Sequence, residues 1–118
     1  LALGIGPFVV GPAVARKTGL SAMSTMAINA TKWYSAEWAK NVGLYADVFE
    51  STHEMDTNIE ELANQLASSN PLAMKQLKKV MWEGTENWDQ LLLERAAISG
   101  KLVLSDFSKN AINALKKK

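Results

Sequence analysis

Apolar and polar positions along the 118-residue chain recur at helical spacing over most of its length. The opening Leu1 to Val10 is different. It is apolar but broken by Gly4, Gly6, Pro7 and Gly11, which predicts a loop. Pro12 suits a first helical position because it has no N–H to leave unpaired, and Gly19 suits a helix end, so a short helix is expected from about Gly11 to Thr18. Leu20, Met23, Met26 and Ala27 carry helical spacing on to Ile28, against the lower intrinsic preference of three hydroxyl residues. Ser35 is placed to cap a helix over Ala36 to Val42, ended by Gly43.

Leu44 to Phe49 is short and carries Leu, Tyr, Val and Phe, which predicts a brief strand or extended segment, unable to make a sheet alone. Thr57 with Glu60 fits a capping box, followed by Ile59, Leu62, Ala63, Leu66 and Ala67 on one helical face. Ser68-Ser69-Asn70 ends that helix. Asn70 and Pro71 open the next, in which Leu72, Met74, Leu77, Val80 and Met81 mix with lysines until Gly84 stops it. A further amphipathic helix is expected from Trp88 to Leu102, with Asp89 near its positive end. Ser105 suits the cap of a last helix with Phe107, Ala111, Ile112, Ala114 and Leu115 as its apolar stripe. The expected fold class is mainly α, with six or seven short helices and one short extended segment near 44–49. Isolated helices below roughly 12 to 15 residues are marginal in water, so these need packing within the chain or against neighbours.

Composition narrows the function. At 47% apolar residues, the chain has one domain's worth of sequence and enough for a modest core. Thirteen basic and twelve acidic residues nearly cancel, which leaves no electrostatic footprint for a nucleic-acid backbone. The Lys116-Lys117-Lys118 cluster reads as a solvated end at a helix C-terminus, with a phosphate contact as the alternative. Without cysteine there is no disulfide framework, no Cys-based zinc site and no thiol nucleophile, and a cytoplasmic location is expected. The apolar start is too short to span a bilayer and lacks the basic front of a signal peptide, so no membrane partner is expected. Because those residues read like a protein interior and do not begin with Met, the chain is expected to be a fragment or a trimmed product.

Candidate chemistry is sparse. His53, in an expected polar loop beside Glu54 and Asp56, lacks the spacing of a metal motif. Glu60-Glu61 and the pair Glu83 and Glu86 are explained by polar helix faces better than as acid and base. Trp33, Trp38, Trp82 and Trp88 suit core or subunit contacts rather than a base-stacking platform, which would want interleaved basic residues. Gly4-Ile5-Gly6-Pro7 has neither the full dinucleotide fingerprint nor the Lys-Ser/Thr ending of a P-loop, but its backbone is free to approach a ligand closely.

Read in order, the pieces Gly4-Ile5-Gly6-Pro7, Gly19, Ser35-Ala36-Glu37-Trp38-Ala39-Lys40-Asn41-Val42-Gly43-Leu44, Leu62 to Ala67, and Ser69-Asn70-Pro71-Leu72-Ala73 leading to Lys75 and Lys78 resemble the C-terminal half of the crotonase superfamily. The resemblance covers essentially the whole chain. It implies an acyl-CoA thioester substrate whose oxygen sits between two backbone N–H donors, where enolate-like charge is favoured. Coenzyme A enters as part of the substrate, with no separate cofactor and no metal. In hydratases of the family, carboxylates handle water and the proton alpha to the carbonyl. By the resemblance these carboxylates and the first oxyanion donor would precede Leu1, so no catalytic residue is assigned here and the fragment alone is expected to be inactive.

The same resemblance places Ile5, Gly6, Pro7 and Phe8 near the acyl end of the substrate, Leu102 on a late helix lining the acyl pocket, and Lys117 at a coenzyme A phosphate. Two departures stand out. Ala114 occupies a position that is often aromatic, and Phe8-Val9-Val10 replaces a small, glycine-rich run, which would narrow or reshape the pocket. Residues 1–50 would be the end of the crotonase core, with the active-site loop, helices and a short strand. Residues 51–118 would be the helical assembly (trimerisation) region of a homotrimer or hexamer. The expected function is that of an enoyl-CoA hydratase fragment. The alternatives are an enoyl-CoA isomerase of the same family and a non-catalytic helical interaction module.

Overall fold

The computed structural model describes residues 1–116. They form six helices, α1 (Gly11–Ile28), α2 (Ala36–Asn41), α3 (Thr52–Ala67), α4 (Pro71–Met81), α5 (Trp88–Val103) and α6 (Asp106–Lys116), with no strand among the described residues. The mainly α fold expected from periodicity is the fold observed.

Helix α1 is two helical stretches joined at Gly19, whose φ of 79° and ψ of 158° are non-helical. That backbone region is essentially reserved for glycine. Whether six or seven helices are counted depends on this break. Its approach is held by Thr18, whose hydroxyl donates to the Val14 carbonyl at 3.0 Å.

Ser35 caps α2 by accepting from the Trp38 amide at 3.1 Å. At the other end Gly43 has φ 78°, its amide donates to Lys40 at 2.9 Å, and the Leu44 amide donates to Ala39 at 2.8 Å. This paired pattern satisfies carbonyls that the last helical turn leaves open. It also corrects the expected strand near 44–49. The Leu44 and Tyr45 amides are both spent on the Ala39 carbonyl, and residues 44–49 form bends and irregular backbone with no ladder. Between α1 and α2, the Tyr34 and Trp38 rings lie 4.2 Å apart, and the Tyr34 hydroxyl donates to Thr25 of α1 at 3.3 Å.

The start of α3 differs from expectation. Ser51, not Thr57, is the cap: it accepts from the Glu54 amide at 3.2 Å, while the Glu54 carboxylate accepts from the Glu50 amide at 3.2 Å. Thr57 lies inside the helix and donates its hydroxyl to the His53 carbonyl at 2.9 Å. His53 is therefore an exposed residue of the first helical turn and not a loop residue. Asn70 caps α4 by accepting from the Leu72 and Ala73 amides at 2.9 and 3.2 Å, with Pro71 first in the helix. Gly84, at φ 81°, follows its end. Ser105 caps α6 by accepting from the Ser108 amide at 3.3 Å.

By internal contact the chain divides into two units, Leu1–Ala46 with Trp88–Lys118, and Asp47–Asn87. In the first unit α5 meets α6, and the turn after α2 approaches α1 where a Cβ on Gly43 would stand 3.4 Å from the Lys17 carbonyl. The second unit holds α3 and α4, whose apolar positions Ile59, Leu62, Leu66, Leu72, Leu77 and Val80 are all exposed. Among the described residues Ala39 is the one buried apolar residue, and Ser108 is buried completely. The tryptophans are no core either: Trp33 is 94% exposed and Trp82 half exposed. The helical faces expected from the sequence form, but the chain itself covers little of them.

Candidate functional site

The candidate site grows from the glycine-rich loop before α1. The Gly4 amide donates to Leu1 at 2.8 Å, closing a turn in which Gly4 has φ 76°. The Phe8 amide then donates to Gly6 at 2.9 Å, a three-residue turn centred on Pro7. That turn folds the Phe8 ring back over the backbone: a Cβ on Gly6 would lie 2.8 Å from Phe8 Cζ. The Gly11 amide donates to Pro7 at 2.8 Å and leads the chain into α1.

Beyond the loop, the break at Gly19 sets the two stretches of α1 side against side. A Cβ on Gly11 would stand 3.4 Å from Met23 Cε. The elbow borders an apolar cavity of about 180 Å³ lined by Pro7, Val10, Val14, Met23, Met26 and Ala27. No carboxylate, imidazole or hydroxyl lines it, so it is shaped to take an apolar group and has no means of moving a proton.

The structure brings together only part of the expected constellation. Pro7 lines the cavity; Ile5, Gly6 and Phe8 are half-buried neighbours in the loop but are not on its wall. Leu102 is half-buried on α5, with its carbonyl accepting from Ser105 at 3.1 Å, and does not line this cavity. Lys117 lies outside the described residues. Val14, Met23 and Met26 were not anticipated as lining residues. The signal was present in the apolar pairing across Gly19, but their convergence depends on the backbone angles of that one residue.

Elsewhere the acidic side chains do not converge. Among the described residues no group of three or more His, Cys, Asp or Glu side chains comes together. The Glu86 carboxylate accepts from the Gly84 amide at 3.0 Å, a turn contact. No helix among the described residues is long and apolar enough to cross a membrane.

One further contact ties the loop to the last helix. A Cβ built on Gly4 would clash with the Ser108 hydroxyl oxygen and stand 2.8 Å from Phe107 Cδ1. The loop therefore rests on the first turn of α6.

Comparison with curated proteins and with solved structures finds no significant match for this chain. The family model described as enoyl-CoA hydratase/isomerase matches residues 1–114, which takes in the loop, the elbow and all but the last residues of α6. This chain belongs to the enoyl-CoA hydratase/isomerase family, within the crotonase superfamily.

Proposed function

We propose that the chain supplies the acyl-pocket edge and the assembly helices of an enoyl-CoA hydratase-like enzyme, which adds water to an enoyl-CoA thioester or removes it. The carboxylates and oxyanion donors that perform the reaction belong, in this reading, to sequence outside these 118 residues. The observation that carries the reading is the elbow cavity, an apolar recess with Pro7 of the Gly4–Phe8 loop at its wall and no acid or base on it. Such a recess holds a hydrocarbon tail and leaves the chemistry to groups arriving from elsewhere.

Within this reading Ile5, Gly6, Pro7 and Phe8 border the acyl end, Leu102 on α5 meets the acyl group outside the recess lined by Pro7, and Lys117 contacts a coenzyme A phosphate. Coenzyme A is part of the substrate and not a resident cofactor. The division of roles falls near residue 50, with residues 1–50 ending the thioester-binding core and 51–118 serving assembly into a trimer or hexamer. The exposed apolar positions of α3 and α4 support the assembly role, because permanent subunit interfaces are apolar like a divided core.

The test is turnover of crotonyl-CoA by the full-length gene product beside the 118-residue chain. The full-length protein is expected to hydrate the double bond, and the chain alone to leave the thioester unchanged. Double-bond migration without water uptake would replace the hydratase reading with an isomerase one. A full-length protein that does neither would remove the enzymatic reading.

A further inference from the structure

Ser108 is the only side chain among the described residues that is wholly buried, although it is polar and sits in the first turn of a helix with no other buried residue. Its hydroxyl oxygen is held from one side by the Ser105 hydroxyl, which donates to it at 3.2 Å. On the other side it occupies the space that a side chain on Gly4 would need. Phe107 closes the same place, its Cδ1 and Cε1 at 2.8 and 3.4 Å from that position. Gly4 in turn is fixed to Leu1 by its amide and takes a positive φ, so its backbone has little freedom to slide past the serine. Three residues further on stands Pro7, on the cavity wall, reached through a loop that the Phe8–Gly6 bond keeps tight.

We infer that Ser108 is a positioning residue whose small size lets the Gly4–Phe8 loop lie close against α6, and through Pro7 keeps the width of the acyl recess. It touches no substrate and acts only through the loop. A larger side chain at 108 drives Gly4 away from α6 and carries Pro7 with it. A smaller one leaves the loop where the Phe107 ring and the Leu1 bond hold it. The consequence is a change in preference among acyl chains, not a uniform loss of activity. This inference rests on the reading that the loop borders the acyl end of an enoyl-CoA thioester.

The test uses the full-length protein with Ser108→Val and Ser108→Ala, read in two ways. The first is kcat/KM for enoyl-CoA thioesters of short and long acyl chain. In Ser108→Val the ratio between them is expected to shift by about tenfold, the scale at which a methylene-sized misfit in an apolar pocket is felt. In Ser108→Ala it is expected to stay at the wild-type value. The second is amide hydrogen exchange over residues 4–8, which needs no turnover. Ser108→Val is expected to lose protection at the Gly4 and Phe8 amides while α6 keeps its own.

An equal loss for every chain length, or unchanged exchange in the loop, overturns the inference. Should the wild-type protein turn over no thioester, the enzymatic reading fails by itself and the exchange measurement still decides the positioning role. If Ser108→Val does not fold, Ser108→Thr crowds the same contact with a single methyl and is measured in the same way.

Discussion

Gly4 and Ser108 meet so closely that no side chain fits at the glycine: a Cβ built there would clash with the Ser108 hydroxyl oxygen. Two penalties follow for Gly4→Ala. A left-handed backbone costs an L-residue about 1–2 kcal/mol, and the added methyl must displace Ser108 and the Phe107 ring. The expected destabilisation is roughly 2–4 kcal/mol, read from the urea midpoint of unfolding. A loss of less than about 0.5 kcal/mol, the range of an ordinary surface change, would mean that the loop does not rest on α6.

Gly19 and Gly100 separate conformational cost from steric cost. Neither would meet a neighbour within 4 Å if given a Cβ. Gly19, however, sits at φ 79° and ψ 158°, and Gly100 lies inside α5. Gly19→Ala is therefore expected to lose about 1–3 kcal/mol through backbone strain alone and to open the elbow. Gly100→Ala is expected to gain about 0.5–1 kcal/mol, because alanine gives up less backbone entropy in a helix. Thermal unfolding of the two variants should move in opposite directions.

How far the sequence discloses this structure depends on the range of the interaction concerned. Local pairings were legible: Ser35 with Gly43, Asn70 with Pro71, Ser105 before α6 and the break at Gly19 all act over one or two turns. The expected cap of α3 falls more than a turn too late because Thr57-x-x-Glu60 and Ser51-x-x-Glu54 satisfy the same template. Met55 decides between them, since it continues the face of Ile59, Leu62 and Leu66 one turn further back and so requires the earlier start. Residues 44–49 have strand-like composition, but composition does not show that two of their amides are claimed by Ala39. The contact of Gly4 with Ser108 and the lining of the recess by Met23 and Met26 arise from tertiary geometry, on which periodicity is silent.

The two capping boxes give a direct comparison. Ser51→Ala removes the acceptor of the Glu54 amide and is expected to cost about 1 kcal/mol. Thr57→Ala removes only a hydroxyl that bonds back to the preceding turn, and alanine favours the helix interior, so the net change should stay within about 0.5 kcal/mol of zero. Denaturant midpoints followed by far-ultraviolet circular dichroism report the difference. The reverse order would return the start of α3 to Thr57.

The exposed faces of α3 and α4 bear on the proposed assembly. Leu62 is 56% and Leu77 60% exposed, each at the centre of its helix's apolar stripe. If solvent is their only neighbour, Leu62→Ser and Leu77→Ser should change the stability of the chain by no more than about 0.5 kcal/mol, as surface substitutions do. In the full-length protein the same leucines are expected to be covered, and each is then worth about 1.5–3 kcal/mol of burial. The 118-residue chain carrying either change should therefore unfold as the wild type does, while the full-length variant should dissociate at higher concentration in sedimentation equilibrium. Full-length variants that keep their wild-type association would show that these two faces serve no subunit contact, and the assembly role assigned to α3 and α4 would be lost.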